Sequence, residues 1–242
     1  MSFYQSIAPY YDYIFPPSEA QLAFVKKETG GWENKRILEA GCGTGNLARM
    51  LTRQGAKVEG IDLDGEMIGK AREKSGGMQN VQFRQLDILD VDEVWPASYF
   101  HSIVSFGNTL VHLSGLSEMA SFFEKARKLL KPGGRLLVQI IHYDRILDQK
   151  IEGLPTIENE HIRFERFYDF VENGSKINFR TVLTVKATGD EICNEVRLYP
   201  VRREQLRRAL TSAGFSDIRF LGNFNGDSLT ENSVPLIFTA KN

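Results

Sequence analysis

Three groups of residues in this sequence are spaced for work on a nucleoside-like ligand. The first is Gly41-Cys42-Gly43-Thr44-Gly45, lying between the apolar run Arg36–Ala40 and a helical stretch that begins near Asn46. Alternating glycines let the chain turn tightly and bring its backbone against a ligand where a Cβ would collide. A dinucleotide-phosphate loop, G-x-G-x-x-G, needs glycine where this chain has Asn46, which argues against a nicotinamide oxidoreductase. The second group, Gly60-Ile61-Asp62-Leu63-Asp64, places a carboxylate at a strand's carboxyl end, from which it can accept hydrogen bonds from two ribose hydroxyls. The third, Asp87-Ile88, sets a carboxylate beside an apolar residue and suits an adenine: the amino group on Asp87, the ring on Ile88. Taken singly, a glycine loop can be a plain turn and each Asp a helix N-cap. Three such features at the ends of three consecutive strands point to one ligand, because open α/β sheets bind at those ends.

The elements that must position these residues alternate in type. Strand-like RILEA, KVEGI, VQFRQLD, YFHSIVSF and RLLVQII are separated by helical stretches near 46–54, 65–74 and 117–130, the last stopped by Lys131-Pro132-Gly133-Gly134. Strands alternating with helices imply βαβ units and a doubly wound, mostly parallel sheet. Unbroken apolar strands fit such a sheet, whose two faces are both covered by helices. From about Ile157 to Pro200 the pattern changes to three β-type runs, IENEHIRFERFYDF, SKINFRTVLTVKA and EICNEVRLYP, divided by the turn signals Asn173-Gly174 and Thr188-Gly189-Asp190-Glu191. These predict an antiparallel meander. A helix over about 203–213, stopped by Gly214, and the strands DIRFLG and VPLIFTA close the chain.

Composition narrows the classes. At 242 residues the chain can bury a core as one domain, and its formal net charge of −1 gives no global field for nucleic acid or an anionic membrane. Arg202, Arg203, Arg207 and Arg208 cluster at helical spacing and read as a solvated helix face. Two cysteines, Cys42 and Cys193, are too few for a disulfide framework or a cysteine-rich zinc site, and no metal is expected. The opening MSFYQSIAPYYDYIF is not a signal peptide, and no stretch approaches the ~20 apolar residues of a membrane span. A reduced, cytoplasmic protein is the expectation.

The sequence resembles the class I S-adenosylmethionine-dependent methyltransferases. ILEAGCGTG is similar to that family's first motif, GIDLDGEMI to its second and QLDILD to its third, while LLKPGGRLLV resembles the approach to its fifth strand. The likeness covers about 37–141, with the final helix and two strands matching more loosely. It implies a seven-stranded methyltransferase sheet with an antiparallel β insertion after the fifth strand. A single domain over 1–242 would then comprise an aromatic helical segment at 1–30 and a cofactor-binding core at 31–145. An insertion at 146–200 would serve as substrate lid or dimer contact, and 201–242 would complete the sheet. The resemblance further implies S-adenosylmethionine as cofactor, with S-adenosylhomocysteine as product. Glu39 and the backbone of Gly41, Gly43 and Gly45 would surround its methionine part, and Asp62 its ribose. Leu63, Met67, Asp87, Ile88 and Phe106 would form the rest of the pocket, and Tyr11 would cover the cofactor or pack on the core. Where the family often has an acidic residue at the start of the fourth strand, this chain has His101, read as structural.

The acceptor is expected to be a small molecule. Phe106-Gly107-Asn108-Thr109 departs from the Asn/Asp-Pro-Pro-aromatic motif of base methylation, and no basic domain is appended for nucleic acid. SFGNTLVHL resembles the GNS-x-x-HL segment of glycine and sarcosine N-methyltransferases, and HYDRIL their Asn-Tyr-Asp-x-Ile-Leu, with His142 in place of Asn. By that likeness Asn108 and Tyr143 face the substrate, with Arg145 near the insertion. Arg197 could bind a carboxylate through its planar guanidinium, or lie on the surface. An amine acceptor needs no strong base; a hydroxyl acceptor would recruit His101 or His112, the latter otherwise packing at a helix start. A cofactor-binding protein without turnover is the third reading. Edges of the meander permit a homodimer without requiring one.

Overall fold

The computed structural model describes residues 3–242. The chain opens with the short helices α1 (Phe3–Ile7) and α2 (Tyr11–Ile14), then α3 (Glu19–Thr29). Ser18 Oγ caps α3 by accepting from Gln21 N, and Gly30 ends it in the left-handed region. Alternation then begins: β1 (Arg36–Ala40), α4 (Asn46–Arg53), β2 (Lys57–Asp62), α5 (Gly65–Lys74), β3 (Val81–Gln85), α6 (Val91–Val94), β4 (Phe100–Ser105), α7 (Leu116–Leu129) and β5 (Leu130–Ile141). After α8 (Tyr143–Asp148) come β6 (Gly153–Glu158), β7 (Ile162–Val171), β8 (Lys176–Val185) and β9 (Glu191–Leu198). The chain closes with α9 (Arg203–Ser212), β10 (Ser216–Leu221) and β11 (Pro235–Lys241).

Seven strands form the main sheet in the order β10-β11-β5-β4-β1-β2-β3. β1 to β5 pair in parallel, and β11 enters antiparallel between β5 and β10. The direction of winding switches between β1 and β4, so a crevice opens beyond their carboxyl ends. Helices cover both faces, which is why Ile37, Leu38, Ile103, Val104, Leu136 and Leu137 are all fully buried. No helix among the described residues is long and apolar enough to cross a membrane.

The insertion is a separate antiparallel sheet, β6-β7-β8-β9. It differs from the sequence reading in one respect: IENEHIRFERFYDF is not one strand. Its first residues end β6, and Asn159 turns the chain, its Oδ1 accepting from His161 N and Ile162 N at 3.0 and 3.1 Å. An Asx turn between two strand-like runs carries no glycine or proline, so alternation reads straight through it. β5 begins at Leu130, earlier than the expected Arg135, because Phe100 pairs with Leu130 ahead of a register shift.

The inner face of the second sheet carries Ile162 and Phe164 of β7 and Leu183 of β8, which pack against Ile7 and Ile14. Helices α1 and α2 are therefore packed against the second sheet. Tyr168, Ile177 and Leu198 belong to the same apolar cluster as β4 and β5, so the insertion shares the main core.

Candidate active site

Beyond β1 the chain enters a loop in which Gly41, Gly43 and Gly45 have φ of 77°, 52° and 75°. The N–H groups of Gly41 and Cys42 both donate to Ile61 O, at 2.8 and 2.9 Å, and tie the loop to β2. A Cβ on Gly41 would stand 2.2 Å from Thr109 Oγ1, and one on Gly43 would stand 3.0 Å from the Tyr11 ring. Glycine at these two positions answers both a left-handed backbone and the close approach of a neighbour.

At the end of β2, Asp62 Oδ2 accepts from Gly43 N at 2.9 Å and Oδ1 from Asp64 N at 3.0 Å. Burial holds this carboxyl above the usual carboxylate range, and the backbone donors oppose it. Each carboxylate oxygen has two acceptor sites, so capacity remains for a ligand. Asp64 caps α5 through Glu66 N and Met67 N, and Asp87 Oδ1 accepts from Leu89 N at 2.9 Å. Asp62, Leu63, Met67, Asp87, Ile88 and Phe106 all line one cavity of about 580 Å³. Met67 and Ile88 are buried, whereas Leu63 is 67% exposed at the cavity and leaves apolar surface open there.

A second cavity, of about 220 Å³, meets the first at Tyr4, Tyr11, Phe106, Gly107 and His112. The main sheet contributes Glu39, Gln139 and Ile141 to it, the loop after β4 contributes Asn108, and the insertion contributes Leu154, Phe164, Arg166, Tyr168 and Phe179. Glu39 is buried, and its Oε2 has no hydrogen-bond partner among the described residues. Burial pushes its carboxyl up to about 8. An orphaned carboxylate oxygen beside a glycine cradle fits the ammonium-bearing end of S-adenosylmethionine, and the larger cavity fits its adenosine.

The N-terminal segment bridges these parts. Asp12 Oδ1 accepts from Thr44 Oγ1 at 2.5 Å and Asn46 Nδ2 at 3.1 Å, and its Oδ2 meets Lys74 Nζ at 2.6 Å. On the insertion side, Asn194 Nδ2 donates to Ser6 Oγ at 2.7 Å and Asn159 Nδ2 to Tyr13 O at 2.9 Å. Tyr4 Oη lies 2.8 Å from His112 Nε2, and burial drives the imidazole down to about 4, so it is neutral at pH 7.

Residues 37–134, which contain the glycine loop, Asp62 and Asp87, match the family model of a methyltransferase domain. The chain is an S-adenosylmethionine-dependent methyltransferase. The methyltransferase is 29% identical over 250 residues to a protein of Geobacillus sp. (strain WCH70) whose methyltransferase name is provisional, covering 98% of this chain and 99% of that one. It is 30% identical over 125 residues to the ubiquinone biosynthesis O-methyltransferase of Acinetobacter baumannii (strain ACICU), a match to 50% of each chain. Its fold is shared with CalS10, an amino pentose methyltransferase from Micromonospora echinaspora whose structure holds S-adenosylmethionine: TM-score 0.71, 20% identity, 100% of this chain and 98% of that one.

Several residues singled out in the sequence lie elsewhere in the methyltransferase. Tyr143 is fully buried and lines neither cavity; its hydroxyl accepts from Asn108 Nδ2 at 3.1 Å. Asn108 does line the smaller cavity, with φ 75°, and its Oδ1 accepts from Ile141 N at 3.0 Å, so it also clamps β5 to the loop after β4. Arg197 lies outside both cavities, paired with Glu172 at 3.1 Å on the exposed side of β9, because its position alternates with the inward Val196 and Leu198 pattern. Arg145 on α8 lines neither cavity. His101 accepts from Arg36 N at 3.0 Å through Nδ1, at the strand ends opposite the crevice. Arg202 pairs with Asp144 and Asp148, and Arg207 and Arg208 with Glu204, a solvated face.

The sequence reading did not reach Tyr4, Gln139, Arg166, Tyr168 or Phe179, all of which line the smaller cavity. One signal was available: Ile162, Phe164 and Tyr168 share the inward phase of β7, and Arg166 falls in that phase.

Proposed function

We propose that this methyltransferase acts on a small molecule and places the methyl group on an amine nitrogen. Bound S-adenosylmethionine supplies an activated methyl group on a sulfonium. The acceptor's nitrogen lone pair forms the new N–C bond as the S–C bond breaks toward sulfur, and one amine proton leaves to solvent. In this reading Asp62 takes the ribose, Asp87 and Ile88 the adenine edge and ring, and Leu63 gains an apolar partner. Glu39 and the glycine loop hold the methionine end. Tyr11 and Tyr4 cover the reacting region and the insertion acts as lid, so alignment and exclusion of water do most of the work.

The observation that carries the nitrogen assignment is the junction of the two cavities. Its imidazole, His112, is a weak base near 4 and already engaged by Tyr4. Removal from water disfavours the protonated form of an amine, so the acceptor can arrive uncharged in this site. The likeness to an amino pentose methyltransferase agrees with this reading. A hydroxyl acceptor is the second reading, favoured by the ubiquinone biosynthesis relative, and it would ask His112 to take the proton. Free Cys42 and Cys193 suit the reducing cytoplasm.

Mass spectrometry tests the proposal. The protein is incubated with S-adenosylmethionine and a panel of small amines, amino acids and hydroxylated metabolites. Expected are S-adenosylhomocysteine and an N-methylated product, both lost in Asp62→Ala. Methylation of hydroxyl acceptors alone, abolished by His112→Gln, would replace the nitrogen reading with the oxygen one.

A further inference from the structure

The insertion's arginines divide into two kinds. Arg163 pairs with Glu158 and Glu165, Arg180 with Asp169, and Arg197 with Glu172, all on exposed positions. Arg166 points the other way. It occupies the inward phase of β7, lines the smaller cavity, and is the one Lys or Arg among the residues that do so. No carboxylate among the described residues pairs with it. Its side chain meets Pro155 O through one terminal nitrogen and the Phe164 ring, 6.0 Å from the guanidinium carbon. Its Nε is buried without a hydrogen-bond partner among the described residues. Directly opposite in the β7–β8 register stands Thr181, whose Oγ1 is likewise buried and unpartnered among them.

A guanidinium does not lose its proton in a protein, so burial cannot neutralise it. A half-buried charge with no carboxylate beside it is costly and calls for an anion. The other ionisable groups of the cavity do not answer it: burial favours the protonated form of Glu39, and His112 is neutral. A guanidinium presents two parallel N–H groups that match the two oxygens of a carboxylate.

We propose that Arg166 is the carboxylate-binding residue of this site, its ligand being either a carboxylate on the methyl acceptor or the one on the amino-acid end of the cofactor. The inference rests on the reading of the smaller cavity as the place where acceptor and methionine end meet.

Calorimetry on the intact protein separates the two sources and needs no turnover. One arm compares S-adenosylhomocysteine with its carboxamide. The other compares benzoate with benzamide on protein saturated with S-adenosylhomocysteine. The acid is expected to bind about 10- to 100-fold more tightly than the amide in one of the arms, and that arm identifies the source. Arg166→Gln is expected to erase the preference and Arg166→Lys, which keeps the charge and loses the fork, to reduce it. Equal affinity for acid and amide in both arms with the wild-type protein overturns the proposal without reference to any variant. So does a preference that survives in Arg166→Gln. If the amine panel gives no N-methylated product, the nitrogen reading falls and these affinities still decide the role of Arg166.

Discussion

Glu39 shows how one side chain can couple burial to ligand binding. Burial is the largest influence on its carboxyl and lifts it from an ordinary value of 4.5 to about 8; the charge of Asp62 adds to this, while Ala48 N–H and Arg49 oppose it. In the unfolded chain the group ionises near its ordinary value. The folded, cofactor-free protein therefore loses stability as pH rises from about 4.5 to about 8. Denaturant unfolding across that range should show this slope, and Glu39→Gln should remove its share. An ammonium placed against Glu39 favours the ionised form, so binding S-adenosylhomocysteine below pH 8 should release a proton. Calorimetry in buffers of different ionisation heat reads that proton directly. Identical proton release in wild type and Glu39→Gln would remove Glu39 from the ammonium site.

At the scale of elements, α1 and α2 form a strap between the glycine loop and the insertion, and Asp12 is its anchor on the nucleotide side. Burial alone would raise the Asp12 carboxyl, but its bonds to Lys74, Thr44 and Asn46 outweigh that and hold it below 3.8. The stabilisation it gives is thus present above that ordinary value and lost as pH falls through the lowered one. Asp12→Asn keeps the shape and removes the charge. Because the Lys74 pair is about one-third exposed, its share is small, and the two side-chain bonds to the loop matter more. A cost of about 1–2 kcal/mol in denaturant unfolding is expected. Release of S-adenosylhomocysteine, followed by stopped-flow fluorescence, should be faster in the variant. Unchanged release would show that the strap does not gate the cofactor.

For the whole molecule, the question is whether the insertion sheet is an appendage or part of one cooperative body. Tyr168, Ile177 and Leu198 share a cluster with Ile103, Leu136, Val138 and Tyr143, and are themselves at most 3% exposed. Such a joint core gives no boundary at which the insertion can melt first. Trp32 and Trp95 both lie in the α/β layers, so their fluorescence reports that body, whereas far-ultraviolet dichroism also reports the insertion strands. The two signals should follow one urea transition with a common midpoint. A dichroism change that precedes the tryptophan change would make the insertion an independent unit.

The sequence alone determined the class of ligand and the main sheet. Gly41, Gly43, Gly45, Asp62 and Asp87 sit at strand ends, and their role follows from local geometry: a left-handed turn, a carboxyl after a strand, a cap before a turn. The turn, the strand end and the cap are local features that spacing reveals, although the contacts of Gly41 with Thr109 and of Asp62 with Gly43 are made by the fold. The meander was legible for the same reason, through alternation and turn residues, although the Asn159 turn hid one strand boundary. Only the tertiary structure decided which side chains share the smaller cavity. Tyr4 meets His112 across 108 positions, and Arg166 reaches a cavity whose other wall is Glu39 and Asn108. Tyr143 and Arg197 have the chemistry of substrate-binding groups, yet one is fully buried beneath Asn108 and the other faces solvent with Glu172. Residue type and spacing say what a group can do. Which cavity it enters depends on the phase of its strand and on the packing of two sheets against a shared N-terminal strap.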